Sequence, residues 1–120
     1  RGVKKVTFIE NYLPAIKILK KNINLLKLDT NVNLIEKNIF DFNTYKKIEE
    51  KFDIIFLDPP YKENKIVNLF SIIFDLNLLK KNGVVIVHRN KKSNDNGFGN
   101  FKIIDKRIYG VSKIIFLKSN

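Results

Sequence analysis

Two rhythms alternate along the chain. Val3 to Ile9 (VKKVTFI) is short, β-branched and aromatic, which predicts a strand. Glu10-Asn11 ends it; Asn11 is a good helix cap and Pro14 falls in the first turn, where proline is tolerated. Apolar residues then recur at Ile16, Leu19, Ile23 and Leu26, with Lys17, Lys20, Lys21, Asn24 and Lys27 largely on the other side. That spacing predicts an amphipathic helix. Asp29-Thr30-Asn31 reads as a loop, Asn33 to Glu36 as a short strand, Asn38 to Phe42 as a loop, and Asn43 as the cap of a short helix through Glu50.

The second half is more apolar. Phe52 to Leu57 (FDIIFL) is nearly continuous rather than alternating, so the expectation is a parallel-sheet strand covered on both faces. Asp58-Pro59-Pro60-Tyr61 stops it. Asn64 is placed to cap a helix bearing Ile66, Val67, Phe70, Ile73 and Phe74, with Lys80, Lys81 and Gly83 as its end signal. Gly83 is followed by VVIV, a second buried-strand run ending at His88-Arg89. Residues 90–100 (NKKSNDNGFGN) are polar with two glycines and read as a loop. Phe101 to Ile108 and Val111 to Lys118 read as strands joined through Tyr109-Gly110, an antiparallel hairpin.

Strand, helix, strand, short helix, strand, helix, strand and a terminal strand pair predict an α/β sheet, mostly parallel, with an antiparallel strand added at one edge. Ligands in such sheets bind beyond the carboxyl ends of the parallel strands. Glu10, Asp58 and His88-Arg89 stand at three such ends and are expected along one rim. The 120 residues amount to at most one domain.

Charge narrows the partners. Lys and Arg outnumber Asp and Glu by 23 to 12, a net charge of +11. That attracts polyanions, nucleic acid first among them, although abundant Lys and Asn also fit solvated helix faces. The chain has no cysteine, so disulfide and thiolate chemistry are excluded. No apolar run approaches the ~20 residues of a membrane span. There is no methionine, and Arg1-Gly2 stands directly before a strand pattern. The expectation is therefore the C-terminal part of something longer.

The chemistry concentrates at two places. Glu10 has two readings: an acid accepting both hydroxyls of a ribose diol, or a solvated acid at a strand end. Asp58-Pro59-Pro60-Tyr61 also stops a strand, but its four residues together do more. Two prolines fix a stiff turn with directed carbonyls, an acid precedes it and a flat ring follows. That assembly suits a planar group carrying NH2: carboxylate and carbonyl accept its two hydrogens while the ring stacks on its face. An exocyclic amine is a poor nucleophile because its lone pair is delocalised. Fixed acceptors favour a pyramidal nitrogen and stabilise positive charge developing there. With a sulfonium as electrophile, orientation and electrostatics do most of the work.

With that motif the sequence resembles class I S-adenosylmethionine-dependent methyltransferases of exocyclic amines, and more closely the RsmD family of bacterial 16S ribosomal RNA guanine-N(2) methyltransferases. The resemblance runs nearly end to end through RGVKKVTFIEN, NINLLKL, NIFDF, FDIIFLDPPY, GVVIVHR and KRIYGVSKIIFL. It implies a Rossmann-like α/β fold whose first strand and glycine-rich loop precede this chain, residues 1–120 being the C-terminal portion of the catalytic domain. It implies S-adenosyl-L-methionine as cofactor, with Glu10 on the ribose hydroxyls, Asn11 beside it, and Asn38 and Ile39 on the adenine edge and face. Asp58, Pro59, Pro60 and Tyr61 match the catalytic motif, with Asp58 and the Pro59 carbonyl holding the amine, Tyr61 stacking on a flipped guanine, and Asp58 also bordering the cofactor.

The implied partner is 16S ribosomal RNA or the assembling small subunit, met by a cytoplasmic monomer. Adenine-N(6) DNA methyltransferases use the same four residues, so that activity stays open, as does a non-catalytic basic RNA-binding module. His88-Arg89 reads either as an RNA or base-side contact or as a solvated pair at a strand end. Lys91-Lys92 reads as solvated or as a phosphate contact.

Overall fold

The computed structural model describes residues 2–60, 65–95 and 97–120. The chain divides into two compact units, Arg1–Ile48 and Glu49–Asn120. The parallel strands accordingly fall into two sheets, one of two strands and one of four.

In the first unit, β1 (Val6–Ile9) pairs in parallel with β2 (Val32–Ile35) in the register Val6 to Val32 through Ile9 to Ile35. The connecting helix α1 spans Leu13–Leu25 and buries Ile16. Leu19 and Ile23 follow at helical spacing and are half-buried. Its N-cap is Tyr12, without a side-chain hydrogen bond, so Asn11 is not the cap. Pro14 sits in the first turn as expected. The helix ends where Lys27 turns left-handed (φ 54). There Lys27 N–H bonds the Asn24 carbonyl and Leu28 N–H the Ile23 carbonyl, which satisfies carbonyls left over by the last turn. Leu26 lies past the last helical residue and is exposed, so the apolar stripe is one residue shorter than its spacing suggests. A 3-10 helix over Phe42–Tyr45 replaces the expected longer helix. Its cap is Asp41, whose side chain accepts from Asn43 N–H at 2.9 Å, so Asn43 is inside the turn rather than capping it.

The second unit is a four-stranded sheet in the order β3-β4-β6-β5. Its strands are β3 (Phe52–Leu57), β4 (Leu79–Asn90), β5 (Phe101–Tyr109) and β6 (Ser112–Ser119). β3 and β4 are parallel and the other pairs antiparallel. The last strand therefore lies inside the sheet and β5 forms the edge. Helix α2 (Ile66–Asp75) links β3 to β4 and buries Ile66, Leu69, Phe70, Ile72 and Ile73. Phe70 meets Phe98 and Phe101 edge-on at 4.9 and 5.3 Å between centroids, which ties the helix to the start of β5.

α2 ends earlier than Lys80, Lys81 and Gly83 suggest. Asn77 turns left-handed (φ 52), its N–H bonds the Phe74 carbonyl, and Leu78 N–H bonds the Ile73 carbonyl while its side chain buries. The stop is thus made by an asparagine, one of the few side chains that tolerates this conformation, with an apolar residue after it. Lys80 and Lys81 lie in β4, and Lys80 pairs with Asp53 at 3.0 Å. Between Phe52–Leu79 and Ile54–Val84 the register jumps, so residues 80–83 bow out. Gly83 is required there, since a Cβ would sit 2.6 Å from Leu79 Cδ1. The proposed cap Asn64 lies outside the described residues.

Val85, Val87, Ile115 and Leu117 are fully buried and paired across β4 and β6, making one face of the sheet the core. The opposite face is more open. On β3, Ile54 and Phe56 are 60% and 58% exposed, against the expectation of a strand covered on both faces. β3 ends the strand order, with β4 as its neighbour, and its non-alternating apolar run is not covered on this side.

Candidate functional site

In the second unit the carboxyl end of β3 delivers Asp58, followed by buried Pro59 and exposed Pro60. Tyr61 lies outside the described residues. Leu57 pairs with Val87, so the next residue on each parallel strand, Asp58 and His88, emerges side by side. His88 Nδ1 and Asp58 Oδ1 are 2.9 Å apart, and His88 Nε2 lies 2.9 Å from Ser112 Oγ on β6. A row of three polar groups thus crosses three strands at the rim: Asp58, His88, Ser112. The His88 side chain is 24% exposed and that of Asp58 57%. The carboxylate is open to an incoming ligand while the imidazole behind it is mostly enclosed. His88 is therefore neither a solvated strand-end residue nor free-standing.

Arg89 points to the other face and corrects the expected pairing of His88-Arg89. Alternation along β4 puts Arg89 on the face of Val85 and Val87, opposite Lys113 on β6. Both cations are buried there with Asp95. Arg89 Nε donates to Asp95 Oδ1 at 3.1 Å, Lys113 Nζ pairs with Asp95 Oδ2 and donates to the Ser93 carbonyl at 2.8 Å, and Ser93 Oγ donates to Asp95 at 2.7 Å. Burial pushes the Asp95 carboxyl up, but the hydrogen bonds from Lys113, Ser93 and Arg89 outweigh it and hold the group below the ordinary carboxylate value. Arg89 is thereby part of an ionic lock on the 91–100 loop, and not a solvated or nucleic-acid-facing residue. Lys91 and Lys92 in that loop are exposed.

The first unit has its own carboxyl rim. Glu10 N–H bonds the Ile35 carbonyl, so the ends of β1 and β2 are tied together. Glu10 Oε1 accepts from the N–H groups of Asn11 and Tyr12 at 3.1 and 3.0 Å. These two bonds fix the carboxylate at the entry to α1. Among the described residues its Oε2 has no partner, which leaves an acceptor oriented and available, as a ribose diol requires. Asn11 itself is exposed beside it.

Beyond β2, Asn38 Oδ1 accepts from Phe40 N–H at 2.8 Å, closing a turn. The carbonyls of Asn38 and Ile39 are then held from behind: Thr44 Oγ1 donates to the first, and Tyr45 Oη donates to the second at 2.6 Å. The clamp by Thr44 and Tyr45 was not foreseen from sequence; two buried hydrogen-bonding side chains straight after an Asx turn were its signal.

Burial pushes the Tyr45 phenol from 10.0 up to about 12. The unfolded phenol ionises first, so stability falls as pH rises from about 10 to about 12. Urea unfolding midpoints across that range are expected to drop more steeply for the parent than for Tyr45→Phe.

Glu10, Asn11, Asn38 and Ile39 are thus gathered at the carboxyl end of the first unit's sheet, and Asp58, Pro59 and Pro60 follow the carboxyl end of β3 in the second unit. No helix among the described residues is long and apolar enough to cross a membrane.

Against known proteins, the family model described as conserved hypothetical protein 95 matches residues 1–118. The ribosomal RNA small subunit methyltransferase D of Haemophilus influenzae is 34% identical over 92 residues, 76% of this chain and 48% of its own length. The chain thus spans about half of that curated relative. A solved structure of a conserved hypothetical protein from Streptococcus pyogenes superposes with TM-score 0.86 at 25% identity, covering 100% of this chain and 74% of that one. An rRNA methylase from Streptococcus thermophilus shares the fold at TM-score 0.71 and 14% identity, covering 97% and 74%.

Proposed function

Since the chain belongs to the conserved hypothetical protein 95 family, the RsmD family, with its Rossmann-like methyltransferase fold, we propose that it is the catalytic portion of an enzyme that methylates the exocyclic amine of a guanine in 16S ribosomal RNA. The observation that carries this reading is the placement of Asp58. An exposed carboxylate at the end of a parallel strand, followed by two prolines, is backed by an imidazole at 2.9 Å.

In this reading Asp58 and the Pro59 carbonyl accept the two amine hydrogens. They turn the nitrogen lone pair out of the ring and stabilise the positive charge that develops on it. Pro59 and Pro60 hold the carbonyl direction fixed. Tyr61, by its place in the motif, stacks on the flipped base. Glu10 and Asn11 hold the ribose end of S-adenosyl-L-methionine, Asn38 and Ile39 its adenine, and Asp58 borders the reacting end. The oriented Glu10 Oε2 and the clamped Asn38–Ile39 turn fit that group. When bound, it supplies an electrophilic methyl on a sulfonium. The net charge of +11 suits an RNA or assembling-subunit partner, met in the cytoplasm by a monomer.

The test is transfer of labelled methyl by the full-length protein to 16S RNA, to small-subunit particles and to duplex DNA. Label on the guanine amine of RNA is expected. Label on DNA adenine, or salt-dependent RNA binding with no methylated product, would overturn the reading.

A further inference from the structure

We propose that His88 is a positioning residue for Asp58, held in one tautomer by Ser112. This rests on the reading of Asp58 as the amine acceptor. The Asp58 side chain is 57% exposed, so packing alone does not select its rotamer. His88 contacts it at 2.9 Å from a position that is mostly enclosed and fixed by the β3–β4 register. An ionised carboxylate only accepts, so in the neutral imidazole Nδ1 carries the hydrogen and donates it to Asp58 Oδ1. Nε2 is then a lone-pair acceptor, and Ser112 Oγ–H at 2.9 Å donates to it. Ser112 therefore favours the Nδ1–H form, and that form pins one carboxylate oxygen. The second oxygen, Oδ2, stays directed to the ligand side. His88 touches Asp58 rather than the amine, and its effect is on orientation.

Two side chains separate this role from general packing. Asparagine places its amide nitrogen near the position of Nδ1 and can donate to Asp58. Glutamine places its amide near Nε2 and reaches Ser112 instead. In the full-length enzyme, His88→Ala and His88→Gln are expected to lower kcat by about 10- to 100-fold with KM for RNA nearly unchanged. His88→Asn is expected to recover most of the loss.

In the full-length enzyme the imidazole nitrogen resonances of His88 are assigned by their absence from His88→Asn. At alkaline pH they are expected to report the Nδ1–H tautomer in the parent protein and its loss in Ser112→Ala and Asp58→Ala. An Nε2–H tautomer in the parent overturns the inference. So does equal recovery by His88→Gln and His88→Asn, or a kcat for His88→Ala within about twofold of the parent. If Asp58→Ala keeps full transfer, the amine-acceptor reading itself falls, and this inference with it. If Asp58→Ala is inactive while His88→Ala is not, only the positioning role is lost.

Discussion

Asp58→Ala is expected to lower kcat for methyl transfer by on the order of 10²- to 10³-fold, the range seen when one fixed group facing developing charge is removed. The loss should fall on kcat, because the acceptor matters most once the amine nitrogen begins to carry positive charge. In the proposed reading Glu10, Asn38 and Ile39, in the first unit, hold the ribose and adenine of the cofactor, so its ground-state binding should change much less. Asp58→Asn is the sharper comparison. Its carbonyl can still accept one hydrogen bond, but the negative charge is gone and its NH2 repels the amine. It should recover little of the activity. Single-turnover rates, together with cofactor affinity by calorimetry, check both halves. Unchanged single-turnover rates in both variants would remove Asp58 from the chemistry.

The largest effect on stability is expected at Asp95. Its side chain is 3% exposed and lies between Arg89 and Lys113, at 7% and 6%. Asp95→Ala leaves two cations side by side on the core face of the sheet with no carboxylate between them. Breaking a buried ion pair from one side costs about 3 to 5 kcal/mol. Asp95→Asn keeps part of the hydrogen bonding but not the charge, and should fall between parent and alanine.

The acid limb has the same origin. The folded carboxyl is held below its usual value of 3.8, so its contribution is complete above that value and is lost as pH falls through the folded one. Urea midpoints at neutral and acid pH check this. A cost under about 1 kcal/mol for Asp95→Ala at neutral pH would mean the cluster is solvated in solution.

Much of this was legible in the sequence where a pattern had one physical cause. The strand over Phe52–Leu57 is marked at its end by Asp58-Pro59, and its bounds are those read from the apolar run. The final hairpin likewise follows from two strand patterns meeting at Gly110, whose φ of +59 serves the turn. Signals with several causes misled. Lysines and a glycine after α2 resemble a helix end, but the stop is Asn77 and Leu78, and Lys80 and Lys81 belong to the next strand. Arg89 was visible as the next inward position after Val85 and Val87. Its burial depends on Asp95, which a loop brings from six residues away.

Ser112 was missed for a related reason. Its approach to His88 follows from the β4–β6 register, which local patterns do not specify. Glu10 and Asp58 each follow a parallel strand, as expected, and the strands that carry them belong to different units.

The row from Asp58 through His88 to Ser112 also bears on the order in which the molecule assembles. β5 and β6 meet across a tight turn, so their pairing closes a short loop. β4 joins β6 across a longer one, His88 and Ser112 being 24 positions apart. β3 joins β4 in parallel across α2, Asp58 and His88 being 30 positions apart. Parallel pairing over the longest separation is the slowest of the three to form. The contact that completes the row is therefore expected to be the last gained in folding and the first surrendered in local opening. Amide exchange in β3 should accordingly outpace that in β6.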